Sequence, residues 1–577
     1  MDTKFSSRER AAYLKEMSAG RLDLLVIGGG ITGAGIAWDA TLRGMTTGLV
    51  EMNDFASKES YRSTKLIHEG FPSLKPGEIS FVREYGSERD LLYKSTHHLV
   101  KPIPVLLPIY KTGTYGYWTS SIALLLYSWL AGGKHSERRK MYNRNDTTIL
   151  EPLLRQEGST GGGYYNEYQT DDARITIEII KSARANGAII TNYTNPLAFI
   201  YRGGRVVGVK VEDLVSGLIY SIYAKKIVNA AGHWMDELRT KDNLLKGTKL
   251  PLAKDVYVVL DHRKMPLKQA AYIDVPGRRT ILCVPHGRKT YIKATDTIYE
   301  DDNNQRNVTK ADRQSVLDAI NYAFPNVHLC ESDMESVWCD LRSLQSDERN
   351  APSTINRGDE IIVSDSGLLS ISGSQRIGFR KMSEKVVNLV SKQLQDEEGT
   401  IYPPCTTDRK AISGGILNSG SYYDMQKDMV KQGRTLGINV DDTFDLMSRY
   451  GSNTIEIFRY LRESDRDELM DDQLLHAEIQ YSIHHEMTLN AIDFLLRRTG
   501  WMLFDRQKAE RILGETMSIM SELLEWDSID LNKQWSLLQE QLKTTWGITE
   551  ETPTQISSTE KPESKSQLEF IESPFHV

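Results

Sequence analysis

The chain has 577 residues, too many for a single hydrophobic core, so two or three domains are expected. Its 71 Lys and Arg against 78 Asp and Glu give a formal charge of −7, and the basic residues are dispersed, which argues against a nucleic-acid-binding face. Cys283, Cys330, Cys339 and Cys405 lie far apart with no CxxC pair, so neither a disulfide framework nor a zinc site is indicated, and a reducing, cytoplasmic compartment fits.

The N-terminal stretch MDTKFSSRERAAYLKEM is charged and amphipathic and lacks an apolar h-region, so export is not expected. Asp23 to Glu51 then forms one strand–glycine turn–helix–strand–acid unit, DLLVIGGGITGAGIAWDATLRGMTTGLVE. The apolar run Leu24–Ile27 reads as a buried parallel strand, followed by Gly28, Gly30 and Gly33 at G-x-G-x-x-G spacing. Gly28 suits the tight turn, Gly30 lets backbone approach a pyrophosphate, and Gly33 lets the helix pack on the strand with its N-terminal amides facing phosphate. Thr46–Val50 is the next strand, and Glu51 ends it about 20 residues beyond the glycines, where a carboxylate accepts from ribose hydroxyls. The unit predicts a Rossmann-like dinucleotide-binding domain.

The most apolar window, Ile122–Leu130, falls far short of the roughly 20 residues needed to cross a bilayer. It reads as a buried helix, or as a membrane-facing helix with Trp118, Tyr127 and Trp129 as interfacial aromatics. Ala173–Gly187 has helical apolar spacing at Ile175, Ile179, Ile180 and Ala183. A β-meander follows, with turns at Gly203-Gly204 and Ser216-Gly217, returning to a parallel strand at Lys226–Ala230. Further strands are expected at Val256–Leu260, Thr280–Pro285, Thr290–Ala294 and Leu368–Ser372, the last leading into a helix at Arg380–Leu394. After Pro403-Pro404 helical periodicity dominates, as in Ile479–Arg498 and Arg506–Leu524. His484-His485-Glu486 lacks H-E-x-x-H spacing and is assigned to a helix face; no metal site is expected. The Ser-, Thr-, Pro-, Glu- and Lys-rich tail reads as disordered.

The opening unit, continued by NDFAS and RSTKLIHEG, resembles the start of the FAD-dependent glycerol-3-phosphate dehydrogenases and the related α-glycerophosphate oxidases. The resemblance runs on through LLPIYKTGTYG, GGGYYNEYQTDDARITIEIIKSA, YAKKIVNAAGHW, KTYIKATDT, APSTINRGDEI and FRKMSEKVVNLV, and through YGSN and YSIHHEMTLNAIDFLLRRTGWMLFD in the helical part. Trp338-Cys339-Asp340-Leu341-Arg342 runs almost directly into the APSTI segment, without the long insertion typical of the oxidase branch. The resemblance implies an α/β fold: a Rossmann-like FAD-binding domain in residues 1–400, interleaved with a mixed-sheet substrate domain mainly at 75–160 and 240–350, then an all-α domain at 401–545 and a tail at 546–577. It implies that FAD lies along the glycine loop and takes a hydride from the C2 of sn-glycerol 3-phosphate. Glycerone phosphate forms, and electrons leave to a quinone. Peripheral attachment to the inner face of the plasma membrane goes with the quinone. Oligomeric state stays open, a homo-oligomer included.

By position in the family pattern, His68 is the candidate base, Arg342 and Arg357 are candidate substrate contacts, and Gly28, Gly30, Thr32, Gly33, Glu51, Ser60, Ser63, Thr64, Gly232, Gly373 and Gln375 are candidate FAD contacts. An imidazole of near-neutral pKa suits the base. Each of the three catalytic candidates also has a structural reading: a satisfied histidine, an arginine paired with Asp340 or Asp347, and a solvated charge.

The departures cluster where the family does its chemistry. H-G-G-[LI]-R-Y-L reads His68-Glu69-Gly70-Phe71-Pro72-Ser73-Leu74, and G-G-K-[LI]-T reads Gly373-Ser374-Gln375-Arg376-Ile377. T-K-G-[IV]-H reads Ala253-Lys254-Asp255-Val256-Tyr257, and G-T-S-S reads Lys58-Glu59-Ser60-Tyr61. Each hydrogen bond to a charged group is worth about 1.5–3 kcal/mol, so one lost arginine and one lost lysine remove about 3–6 kcal/mol of phosphate binding. Glu69 and Asp255, if both point inward, make the cavity less hospitable to an anion. Two alternatives therefore stand beside the glycerol 3-phosphate reading: a flavin dehydrogenase for a different polyol or hydroxy acid, and a non-catalytic FAD-binding paralogue.

Overall fold

The computed structural model describes residues 5–57, 60–67, 79–111, 121, 124, 139–242, 252–277, 279–299, 308–343, 360–372, 378–417, 420–464 and 469–547. Among them lie two sheets and a C-terminal set of helices, an α/β fold with mixed sheets followed by a helical domain.

The first sheet has a parallel centre in the order Leu369–Ser372, Ile219–Asn229, Arg21–Ile27, Thr47–Val50, Ile189–Thr191. Its strands read as near-continuous Leu, Ile and Val because both faces are covered. On one face the helix Ile31–Leu42 packs between helices Asp172–Ala185 and Phe379–Glu398. The strand Ile219–Asn229 serves two partners along its length. Ile219 to Tyr223 pairs antiparallel with Arg205–Asp213, and from Tyr223 onward it runs parallel to Arg21–Ile27. The returning strand expected at Lys226–Ala230 is thus the end of one longer strand.

The second sheet runs Met334–Ser343, Leu252–Asp261, Lys289–Tyr299, Arg279–His286, Ala270–Val275, Val100–Tyr110, Ser159–Thr170, Leu66–Ile67, with Lys140–Asn143 also on Ser159–Thr170. Val256, Val258 and Leu260 face the helix Lys310–Ala323, while Tyr257, Val259 and Tyr291 face the C-terminal helices. The period-2 alternation of a strand divides these residues between two cores.

The helix expected at Ile479–Arg498 is two elements, an α-helix at Met470–His485 and a π-helix at Asp493–Arg498. Local and long-range features accompany the break: Met487 sits at φ +52, Glu486 leaves the helix to pair with Arg174 at 2.7 Å, and the Asn490 side chain accepts the Asp493 N–H. Apart from Leu124, the apolar window Ile122–Leu130 lies outside the described residues; Leu124 is helical, fully buried and packed near Gly163. Among the described residues, no helix is long and apolar enough to cross a membrane.

Candidate functional site

The strand Arg21–Ile27 delivers the chain to Gly28, whose φ of +116 lies in the region that favours glycine. A Cβ there would sit 2.5 Å from the Ala230 carbonyl oxygen, so strand ends and turn touch backbone to backbone. A Cβ on Gly33 would lie 1.9 Å from the Gly28 oxygen, which fixes how closely the helix approaches the turn. At Gly30 it would meet only Ser60 Oγ at 3.6 Å and otherwise project into open space.

That space is a cavity partly open to solvent. Gly30 is the N-cap of helix Ile31–Leu42 and supplies no side-chain cap, so helix-terminal N–H groups are available to a ligand; the Ile31 N–H donates to Ser60 Oγ at 3.4 Å. Such an end carries unsatisfied donors and a partial positive charge, which is what a pyrophosphate requires. Glu51 accepts the Gly29 N–H at 2.6 Å and the Asn53 N–H at 2.8 Å, leaving lone pairs for a ribose. The glycine turn, the uncapped helix and the fixed carboxylate fit an adenine dinucleotide.

Gly28, Gly30, Thr32, Glu51, Ser60 and Gly232 line this cavity. Gly33 stands behind the turn, where it sets packing. Ser63 and Thr64 are buried and stand outside the lining of this cavity. Thr64 Oγ1 donates to the Leu66 carbonyl, the Thr64 carbonyl accepts from Tyr291 Oη at 2.8 Å, and Ser63 Oγ accepts the Lys65 N–H, so the pair anchors this segment to the second sheet. Gly373 and Gln375 lie outside the described residues, although Ile371, at the preceding strand end, lines the cavity. His68 and Arg357, with Glu69, Pro72 and Ile377, lie outside them too. Arg342 is described in its backbone only, paired with Ala253.

Sequence reasoning missed Asn53, Ser57, Asn195, Trp234 and Lys241, all in the cavity wall. Trp234 carried a signal in Gly232-His233-Trp234, a 3-10 turn closing the end of the strand; Asn195 and Lys241 carried none.

Beside the Arg342 strand, Tyr257 and Trp338 stack with ring centroids 5.1 Å apart at 2°, and Trp338 Nε1 donates to the Arg62 carbonyl. The Asp255 carboxylate pairs with Lys293 at 2.8 Å. Asp255 was expected to make the substrate cavity less hospitable to an anion if it pointed inward; its charge is matched by the Lys293 ammonium. The His-His-Glu run has packing partners. His485 Nε2 lies 3.1 Å from Tyr460 Oη, and burial holds that imidazole down to about 4. Burial opposes ionisation of Glu486, but Arg174 and Lys181 overcome it and hold the carboxyl at about 2.

Comparison with known proteins gives the same outline. Residues 23–376 match the FAD dependent oxidoreductase family, and residues 405–530 match the C-terminal domain of alpha-glycerophosphate oxidase. The aerobic glycerol-3-phosphate dehydrogenase of Bacillus subtilis is 42% identical over 542 residues, covering 92% of this chain and 97% of that protein. The enzyme of the same name from Staphylococcus aureus is 41% identical, covering 93% and 97%. The crystal structure of the Bacillus halodurans glycerol-3-phosphate dehydrogenase complexed with FAD superposes with a TM-score of 0.80 at 38% identity, over 94% of this chain and 98% of that one. The chain belongs to the FAD-dependent glycerol-3-phosphate dehydrogenase family.

Proposed function

We propose that this chain oxidises the C2 hydroxyl of sn-glycerol 3-phosphate to glycerone phosphate with FAD, and that the electrons pass to a quinone at the inner face of the plasma membrane. The observation that carries the reading is the joining of a dinucleotide cradle at Gly28–Glu51 to a chain 42% identical to an aerobic glycerol-3-phosphate dehydrogenase along nearly its whole length. FAD, when bound, supplies the two-electron acceptor for the hydrogen that leaves C2. The chain supplies position and proton handling. Gly28, Gly30 and the N-terminal amides of the helix at Ile31 hold the pyrophosphate, Glu51 accepts from the ribose, and Thr32, Ser60 and Gly232 close the wall. Gly373 and Gln375 complete the flavin side. His68 takes the C2 hydroxyl proton, and Arg342 and Arg357 hold the phosphate.

A second reading rests on specific residues. Pro72, Gln375, Tyr257 and Ile377 stand where the family usually carries groups facing the substrate, which favours a less anionic polyol or hydroxy acid. Anaerobic addition of glycerol 3-phosphate to the purified flavoprotein separates the two: bleaching of the flavin absorbance is expected, whereas bleaching only by uncharged polyols or hydroxy acids establishes the second. Reoxidation of the bleached protein faster by a water-soluble quinone than by oxygen is expected; the reverse order removes the quinone from the proposal.

A further inference from the structure

Three consecutive residues just after Glu51 are each tied to the C-terminal helical domain. The Asn53 carbonyl accepts the Tyr193 N–H at 2.9 Å, and Tyr193 Oη donates to Asp493 at 2.6 Å while accepting from Asn490 at 2.7 Å. Asp54 accepts from Arg498 Nη1 at 2.7 Å and Nη2 at 2.9 Å, and from Arg497 Nε at 2.5 Å. Phe55 stacks on Phe5 with centroids 5.8 Å apart, and Phe5 pairs through its backbone with His484 and Met487. The opposite side of the same short loop faces the cavity, through Asn53, Ala56 and Ser57. The loop also carries the N–H that holds Glu51, and the Ala56 N–H donates to the Gly29 carbonyl at 3.1 Å.

Two adjacent arginines reach one carboxylate because Asp493–Arg498 is a π-helix, whose wider turn brings neighbouring side chains closer in direction than an α-helix does. Single π turns inside helical segments recur at functional sites. The Asp54 and Arg498 side chains are fully buried, so the contact forms only when the helical domain is seated on the loop.

We propose that the helical domain is a working part of the cofactor site. Arg497 and Arg498 are positioning residues that set the loop Glu51–Ser57 through Asp54, so that dinucleotide binding and seating of the residue 490–498 segment favour one another. Such coupling is reciprocal: whatever the seated helices add to FAD affinity, bound FAD adds to their seating.

Hydrogen exchange on the full-length protein, stripped of flavin and then reloaded with FAD, tests this directly. FAD is expected to slow amide exchange in residues 51–57 and, several-fold, in residues 490–498 as well. Slowing in 51–57 with no change in 490–498 overturns the proposal. Asp54→Asn, which keeps the shape and removes the charge, is expected to raise the Kd for FAD about tenfold and to abolish the distant protection. A variant whose Kd stays within about twofold, while its melting temperature falls equally with and without FAD, shows a merely structural contact and overturns it too. Should Asp54→Asn fail to fold, Arg497→Lys is measured in its place, and the exchange result on the unmodified chain stands by itself.

Discussion

The ammonium of Lys293 lies 2.8 Å from the carboxylate of Asp255, with 14% and 5% of the side chains exposed, on neighbouring strands of the second sheet. A carboxylate that would repel an anionic substrate is thereby neutralised within the fold. Removing one partner of a buried pair leaves an uncompensated charge, whereas removing both costs far less.

Lys293→Met is therefore expected to destabilise the protein by about 3–5 kcal/mol, and Asp255→Asn in the same chain to recover part of that loss. Urea unfolding of the two single variants and the double variant measures the coupling. Additive effects would show that the pair contributes nothing.

Gly33 and Gly30 are expected to fail differently. Alanine at 33 places Cβ 1.9 Å from the Gly28 oxygen, so helix and turn must part; the flavin-free protein should melt lower and hold little FAD. Alanine at 30 meets only Ser60 Oγ at 3.6 Å, so the flavin-free protein should melt as before while FAD affinity falls. Melting curves with and without FAD distinguish the two.

Glu51→Gln removes the charge that accepts from Gly29 and Asn53 and would accept from the ribose. Loss of charge assistance at about 1.5–3 kcal/mol per contact predicts a 10- to 100-fold rise in the Kd for FAD, read by fluorescence titration.

Acid stability follows from the buried pairs. Burial raises the Asp54 carboxyl, but Arg498 and Arg497 more than offset this and bring it from 3.8 to about 2; Glu486 falls from 4.5 to about 2 through Arg174 and Lys181. Both ionise more readily folded than unfolded, so their contribution is complete above about pH 5 and is lost as pH falls through about 2, on the order of 2–3 kcal/mol each. Asp493 is raised by burial and by the Asp54 charge, and works in the opposite sense. Melting temperature should drop steeply between about pH 5 and 2, and less steeply in Glu486→Gln. An unchanged slope in that variant would remove Glu486 from the account.

Restoring Pro72→Arg together with Gln375→Lys should raise kcat/KM for glycerol 3-phosphate by two to four decades, since about 3–6 kcal/mol of phosphate contacts return. A gain confined to uncharged polyols would instead support the second substrate class.

The strand–glycine turn–helix–acid unit and most of the secondary structure around it are legible in the residues alone. Turn, helix start and acid lie within Gly28–Glu51, and their roles follow from local backbone geometry, which spacing encodes. The helices at Asp172–Ala185 and Arg506–Leu524 were legible for the same reason, since 3.6-residue periodicity is a local property. Tertiary structure decided whatever depends on partners distant in the chain. The Thr64 carbonyl accepts from Tyr291, 227 positions away, a contact that no local pattern announces. Asp255 looked like a repulsive charge until the neighbouring strand brought Lys293 to it. The periodic run Ile479–Arg498 gave no sign of breaking, because one contact at the break joins Glu486 to Arg174, 312 residues away. Asp54 and Arg498, 444 positions apart, meet only after both domains have formed, and no local pattern carries a contact whose partner is set by topology.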